Sequence, residues 1–443
     1  MMRIAWLALA LLLPATAPRL PEGVRPLPRK GAEHLAKLLK GAEEYRGLKA
    51  KTPVAAGTVD SRRLKEKVAV SIAEDYTPEE LRSLETSLKA FGLLPESLDL
   101  QRYLPELLTS QVAGFYDPVR KYLALVRPGK KMPAGADDTI LVHELTHALQ
   151  DQHFDLHRFE GGDPMSDAGT ALTALVEGDA TLVMLDFQMG GRAESIPGTA
   201  EAMERMMAEP GKVIAASQDF PGAKEIATAP VWLRDTLLFS YFQGSAFCVS
   251  TRRRGGQPLL DYAYTTDPPR STEQILHPDK WHTRRDDPVV LRLPDLTAEL
   301  PGYRKAAEGV MGELSLRILL RETLKSVDRS NAAAAGWGGD RFAVYEKDGV
   351  RLVAWVTEWD TEADAAEFRN ALVDLEGWRA EAAGPRRVIA VRGGLAPERW
   401  EAVRVRLGAA EADRPANREI DLKAIGAAPT PLRSEAPSPA DGR

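Results

Sequence analysis

The sequence predicts an α+β protein in two parts: a mainly helical domain with an upstream β-hairpin and edge strand, then a smaller α+β domain. Three observations predict it. Between about residues 61 and 285 the apolar positions recur mainly at helical spacing. A strand-turn-strand pattern interrupts them at residues 112–126. Beyond about residue 286, short extended and helical patterns alternate.

The elements follow in order. Residues 18–60 form an N-terminal leader and helix: a Pro- and Arg-rich start, then Leu35, Leu38, Leu39 and Tyr45 at helical intervals between Ala32 and Leu48. A β-branched stretch, Val68–Ile72, precedes Thr77-Pro78-Glu79-Glu80. That tetrad starts a helix with Thr as N-cap, Pro at the first helical position and Glu at the third, ending at Gly92. Residues 112–118 and 121–126 are strands joined at Asp117-Pro118. Asp137 or Asp138 can cap the next helix. A second helix runs from about Ser166 to Gln188 and stops at Gly190-Gly191. Residues 189–232 read as loops with a short helix, and Leu237–Arg252 as a third helix ended by Gly255-Gly256. Ser271-Thr-Glu-Gln274 is a capping box for a short helix reaching His277.

In the second part, spanning 286–426, Val289–Leu293 is extended and Leu314–Lys325 helical. Ala332–Gly339 reads as a hinge-like loop with Trp337 as a packed anchor. Phe342–Tyr345 and Val350–Thr357 form a hairpin turning at Asp348-Gly349. A helix capped by Thr361, a strand at Arg387–Arg392 and a helix at Pro397–Leu407 complete it. Residues 427–443 are Ala/Pro/Ser-rich and predicted disordered.

Composition narrows the function. A charged fraction of 28% and 44% hydrophobic residues suit a soluble globular protein. A formal charge of -6 gives no support for a nucleic-acid partner, and Arg252-Arg253-Arg254 reads as a solvated turn. Arg3, the apolar run Ile4–Leu13 and Ala15-Thr16-Ala17 predict an export signal over residues 1–17. That run is too short to span a bilayer, so no stable membrane insertion is expected after its removal. The expected location is periplasmic or extracellular. Cys248 is the one cysteine, so no internal disulfide forms, and its apolar neighbours suggest a small buried hydrophobe.

The informative motif is His143-Glu144-Leu145-Thr146-His147. On a helix, residues four apart share a face, so both imidazoles can reach one metal ion. Glu144, beside them, can take a proton from the attacking water without being a ligand. A catalytic zinc site usually has three protein ligands, and two residues compete for the third place. Glu177 lies on the following helix in an otherwise apolar run, where a metal would explain a carboxylate that is costly to bury. Asp179 nearby can orient a ligand imidazole. His153 lies six residues after His147, the metzincin interval. In that pattern a Gly midway lets the chain leave the helix, and here the position is Gln150. His153, Asp155 and His157 can instead form a polar shell near the site.

His143-Glu144-x-x-His147 paired with a downstream helical Glu177 resembles the gluzincins, the thermolysin-like zinc metallopeptidases, over about residues 110–285. More narrowly, residues 113–118, 142–153 and 271–278 are similar to an uncharacterised group of exported microbial zincin-like proteins. The chain departs from thermolysin at Val176 and Thr181, where that enzyme has Asn and Asp. The resemblance implies a zincin-like catalytic domain over 61–285, a Zn2+ cofactor held by His143, His147 and Glu177, and a peptide or protein substrate. The expected activity is peptide-bond hydrolysis with Glu144 as general base, and Tyr241 or His277 as donor to the developing oxyanion. The strand before the metal helix would pair with extended substrate. Two rival expectations remain: a non-enzymatic envelope-binding protein with a structural zinc, and a hydrolase of other amides such as cell-wall peptides. Oligomeric state is left open.

Overall fold

The computed structural model describes residues 20–126, 136–159, 163–208, 210–211 and 222–428. The expected export signal and the tail beyond residue 428 lie outside them. The chain is an α+β protein. Its N-terminal part is a four-stranded sheet against a helical body. Strand β1 (Arg25–Pro26) precedes helix α1 (Arg29–Arg46) and strand β2 (Ala55–Val59). Helices α2 (Ser61–Asp75), α3 (Pro78–Phe91) and α4 (Leu100–Gln111) lead into β3 (Gly114–Asp117) and β4 (Tyr122–Val126). The strand order is β1-β2-β4-β3, with β2 parallel to β4 and β3 antiparallel to it at the edge.

Helix α5 (Ala136–Phe154) carries the histidine motif, and α6 (Asp167–Met189) packs beside it. Ser166 caps α6, accepting the Gly169 N–H, and Gly190 ends it in the left-handed region at φ 64°. A long helical stretch, Val231–Thr265, crosses α6. It breaks at Gly256, whose φ of 65° and ψ of -165° no helix accommodates, and resumes through Pro258.

After the short strand β5 (Val290–Arg292), which lies outside it, the C-terminal part is a five-stranded antiparallel sheet. Its strands are β6 (Arg304–Gly309), β7 (Trp337–Lys347), β8 (Val350–Trp359), β9 (Trp378–Ala382) and β10 (Arg387–Arg392), in the order β6-β7-β8-β10-β9. Alternation sends Phe342, Val344, Val353 and Trp355 to one face, and Ala343, Tyr345, Leu352 and Ala354 to the other. The first face joins the main core: Phe91 at the end of α3 lies edge-on to Phe342 and Trp355, at 4.9 and 5.2 Å between ring centroids. One hydrophobic cluster therefore runs across residue 286. The second face is covered by Trp400, Val403 and Leu407 of the helix Pro397–Gly408.

Several expectations give way to context. Val68–Ile72 is helical: Asp60 caps α2, accepting the Arg63 N–H, and Leu64 and Ile72 provide its buried side. Local β-propensity yields to a helix with one apolar face. Asp137 and Asp138 sit within the first turn of α5 rather than preceding it, and Asp138 accepts from His34 at 2.6 Å. Residues 189–232 hold two described helices, Thr199–Ala208 and Ala223–Thr228. Arg252 is in no turn: it is helical, buried, and donates to Asp186 at 2.9 Å. The hinge-like loop at 332–339 is a helix end followed by β7. There Trp337 is buried and its Nε1 donates to Asp340 at 3.0 Å. The pairing shifts between Trp337 and Gly339, and a Cβ at Gly339 would lie 2.4 Å from the Val289 carbonyl oxygen. The glycines serve a bulge and a close approach, which explains their density without a hinge.

Candidate metal centre

His143 and His147, four apart on α5, bring their Nε2 atoms to 3.0 Å with the rings perpendicular. From α6, Glu177 places Oε2 at 3.1 Å from His143 Nε2 and 3.5 Å from His147 Nε2. Among the described residues this is the one group of His, Cys, Asp or Glu side chains gathered tightly enough to hold an ion. A tetrahedral zinc site with bonds of about 2.0–2.1 Å has donor atoms about 3.3–3.4 Å apart. The three separations are close to one face of such a polyhedron, so the donor set fits the ion. The Glu177 side chain is 24% exposed and Glu144 is half-buried, so the group opens to solvent on one side.

Two features put these elements in register. A Cβ at Gly178 would lie 2.1 Å from the Gly244 carbonyl carbon, and one at Gly244 2.1 Å from the Ala174 carbonyl oxygen. Only glycine at both positions lets α6 and the Val231–Thr265 helix approach so closely. One turn before Gly244, the ring of Tyr241 lies 6.0 Å from that of His143. On the opposite side, β3 is pinned to α5. Tyr116 N–H donates to Glu144 Oε2 at 2.9 Å, and its phenol donates to the buried Asp151 at 2.7 Å.

The charges of the group shift one another. Burial alone would raise the Glu177 pKa, but the imidazoles of His147 and His143 overcome it and hold the carboxyl well below its usual range. Burial works against a proton on His147, yet Glu177 raises its pKa to about 9. Glu144 is pushed up by burial and by the charge of Glu177, against the lowering effect of the two imidazoles and the Tyr116 N–H. That makes it a stronger base than an exposed carboxylate. Glu177, then burial, then Glu144 drive the Tyr241 phenol well above its ordinary value, so it stays a proton donor.

A buried polar network backs His147. Its Nδ1 lies 2.8 Å from Gln150 Oε1. The Gln150 amide nitrogen faces Asp179 Oδ2 at 2.9 Å, the Val176 carbonyl at 3.1 Å and the Tyr264 hydroxyl at 3.0 Å. Two of those partners only accept, so the amide nitrogen must point at them and Oε1 must face the imidazole. When neutral, as a ligand imidazole must be, His147 therefore carries its proton on Nδ1 and directs the lone pair of Nε2 at the ligand group. Asp179 acts one step further back than expected: it holds Gln150, which holds His147. Arg46 of α1 closes the network, donating from Nε to Asp179 Oδ2 at 2.7 Å.

The remaining sequence candidates fall elsewhere. His153 is no ligand. The helix continues through Gln150 to Phe154, which turns His153 onto the Lys49 carbonyl oxygen at 2.7 Å. The polar shell is accordingly Gln150, Asp179, Tyr264 and Arg46, not His153, Asp155 and His157. His277 takes its contacts from a later helix, Gly312–Leu324: Glu313 at 3.0 Å and Arg317 at 3.3 Å. A fully buried Glu313 carboxylate needs such donors. A cavity of about 230 Å³ beside these residues, lined by Glu204, Phe239, Gln243, Leu276 and Arg317 among others, is not lined by His143, His147 or Glu177.

Sequence reasoning passed over Gln150, Arg46, Tyr116 and Tyr264. Two left a signal. Gln150 is three residues after His147, hence on its face, and Arg46 lies four after Ala42 on the apolar stripe of α1. Tyr116 and Tyr264 left none.

The family model described as Domain of unknown function (DUF8575) matches residues 299–412, which is the five-stranded sheet with its helices and not the group of His143, His147 and Glu177. No curated protein and no solved structure matches the chain.

Proposed function

We propose that the protein is an exported zinc-dependent metallopeptidase with a gluzincin-like catalytic site, and that His143, His147 and Glu177 hold the ion. The observation that carries the reading is the convergence of those three donor atoms beside a carboxylate, Glu144, fixed by a backbone N–H of an edge strand. A structural zinc site is typically closed by four protein ligands; three donors, a solvent-facing side and an adjacent base favour catalysis.

When bound, zinc supplies Lewis-acid polarisation of a carbonyl and a lowered pKa for water. The chain's own residues do the rest. Glu144 has one oxygen engaged by Tyr116, leaving the other to accept a proton from the attacking water and deliver it to the leaving amine. Tyr241, held protonated, donates to the oxygen that gains charge as the carbonyl is attacked. Gln150 keeps His147 in one tautomer. The edge strand β3 offers main-chain partners to an extended peptide.

The test is peptide-library cleavage by the zinc-loaded protein beside a Glu144→Gln variant, with new termini read by mass spectrometry. Cleavage lost in the variant is expected. Zinc bound to both with cleavage by neither would favour the envelope-binding role instead.

A further inference from the structure

Residues 29–59 pack against the helices that carry the candidate ligands. Helix α1 buries Leu35, Leu38 and Ala42 in the main core and lies across α5 and α6. Its last residue, Arg46, has a side chain of 0% exposure and three acceptors: Asp179 at 2.7 Å, Gln257 at 2.8 Å and Asp261 at 2.8 Å. Just beyond it, Lys51 and Thr52 give their N–H groups to Gln152 at 2.7 and 3.0 Å, and the Lys49 carbonyl meets His153. Strand β2 then fills the place between β1 and β4.

We infer that residues 29–59 are a permanent part of the folded protein, not a removable prosegment, and that Arg46 is a positioning residue acting on His147 through Asp179 and Gln150. The inference rests on the metal-centre reading above. The physical argument is one of dependence. Among the described residues Arg46 is the one cation paired with Asp179, whose Oδ1 is buried without a partner there. Without Arg46 the carboxylate is an uncompensated buried charge, which would turn away from Gln150. That change removes one of the two acceptors that orient the Gln150 amide and leaves the Val176 carbonyl alone to hold it. With the amide less firmly fixed, His147 is held less firmly with its proton on Nδ1. Excising the segment would also open the β4 edge and the pocket that receives Leu35 and Leu38.

The test uses the full chain. Zinc and cobalt(II) affinities are measured by competition with a chromophoric chelator, and the cobalt absorption spectrum reports the ligand field. Arg46→Gln is expected to weaken metal binding about 10- to 100-fold, the range for residues behind a metal ligand, and to alter the cobalt spectrum. Leu35→Ala, which loosens α1 without touching the network, is expected to lower thermal stability but leave affinity within twofold. In a Gln150→Met background, Arg46→Gln should add no further loss, because the link is already cut. If Arg46→Gln does not fold, Arg46→Lys carries the test with an intermediate loss expected. Wild-type affinity in a folded Arg46 variant would overturn the inference, and so would an equal loss in Leu35→Ala. A wild-type chain that binds neither metal would overturn the underlying metal-centre reading instead.

Discussion

Gln150 Oε1 lies 2.8 Å from Nδ1 of His147, one helical turn along the same face of α5. The pair orients an imidazole of the candidate metal centre without the chain leaving the helix. Where the metzincin pattern places a glycine to turn the chain, this protein keeps an amide behind the imidazole. The buried acceptors Asp179 and Val176 give that amide one permitted orientation.

Removing the base separates binding from chemistry. Glu144→Gln should keep the ion, since Glu144 is not among the converging donors, yet lose roughly 10²- to 10⁴-fold in peptide cleavage. Metal content and turnover measured on the same sample check this.

Tyr241→Phe tests the donor. The phenol lies beside His143 and is held protonated mainly by the charge of Glu177. Its loss should lower kcat about 100-fold or more with little change in KM, as for a group that acts only when the oxyanion forms. An unchanged kcat would remove Tyr241 from the mechanism.

Glu177→Gln should abolish stoichiometric zinc after dialysis while leaving the far-ultraviolet circular dichroism unchanged. The amide keeps the shape but not the charge that faces the two imidazoles. Metal analysis of the dialysed variant decides the point.

Gly244→Ala adds one methyl where a Cβ meets the Ala174 carbonyl oxygen at 2.1 Å. The helices must separate, at a cost of roughly 1–3 kcal/mol. Because the same contact sets Tyr241 beside Glu177, activity should fall further than stability alone explains. Denaturant midpoints and turnover at a fully folded temperature separate the two effects.

His282 is buried, with its Nε2 at 3.0 Å from Ser250 Oγ, and burial lowers its pKa to about 4. The unfolded chain takes a proton near the ordinary value of about 6.5. As pH falls from about 6.5 toward 4, the unfolded state gains a proton that the folded state refuses. Stability from this group is thus complete above that window and lost within it, up to roughly 3 kcal/mol. His282→Gln should flatten the pH dependence of the denaturant midpoint between pH 7.5 and 4.5.

Much of the fold was legible because its signals are local. Thr77 and Thr361 form their capping boxes, Ser166 caps α6, and Asp348-Gly349 turns the β7–β8 hairpin, with both residues at positive φ. Strands β2, β6 and β9 were not legible. They are short, and their places depend on partners far along the chain, as in the parallel pairing of β2 with β4. The β-branched Val68–Ile72 misled for the same reason: its conformation follows its helix and the face that α2 buries.

The sequence by itself determined the pentad that sets two imidazoles and a carboxylate on one stretch of helix, because a 3.6-residue turn converts spacing into direction. It also determined the glycine stops and capped starts, which act within a few residues. Only the tertiary structure decided that Glu177 and not His153 meets the imidazoles, that His277 faces Glu313, and that Arg46 reaches Asp179 from 133 residues away. Those are outcomes of how helices cross, set by close contacts such as Gly178 on Gly244, and no local interval in the chain encodes them.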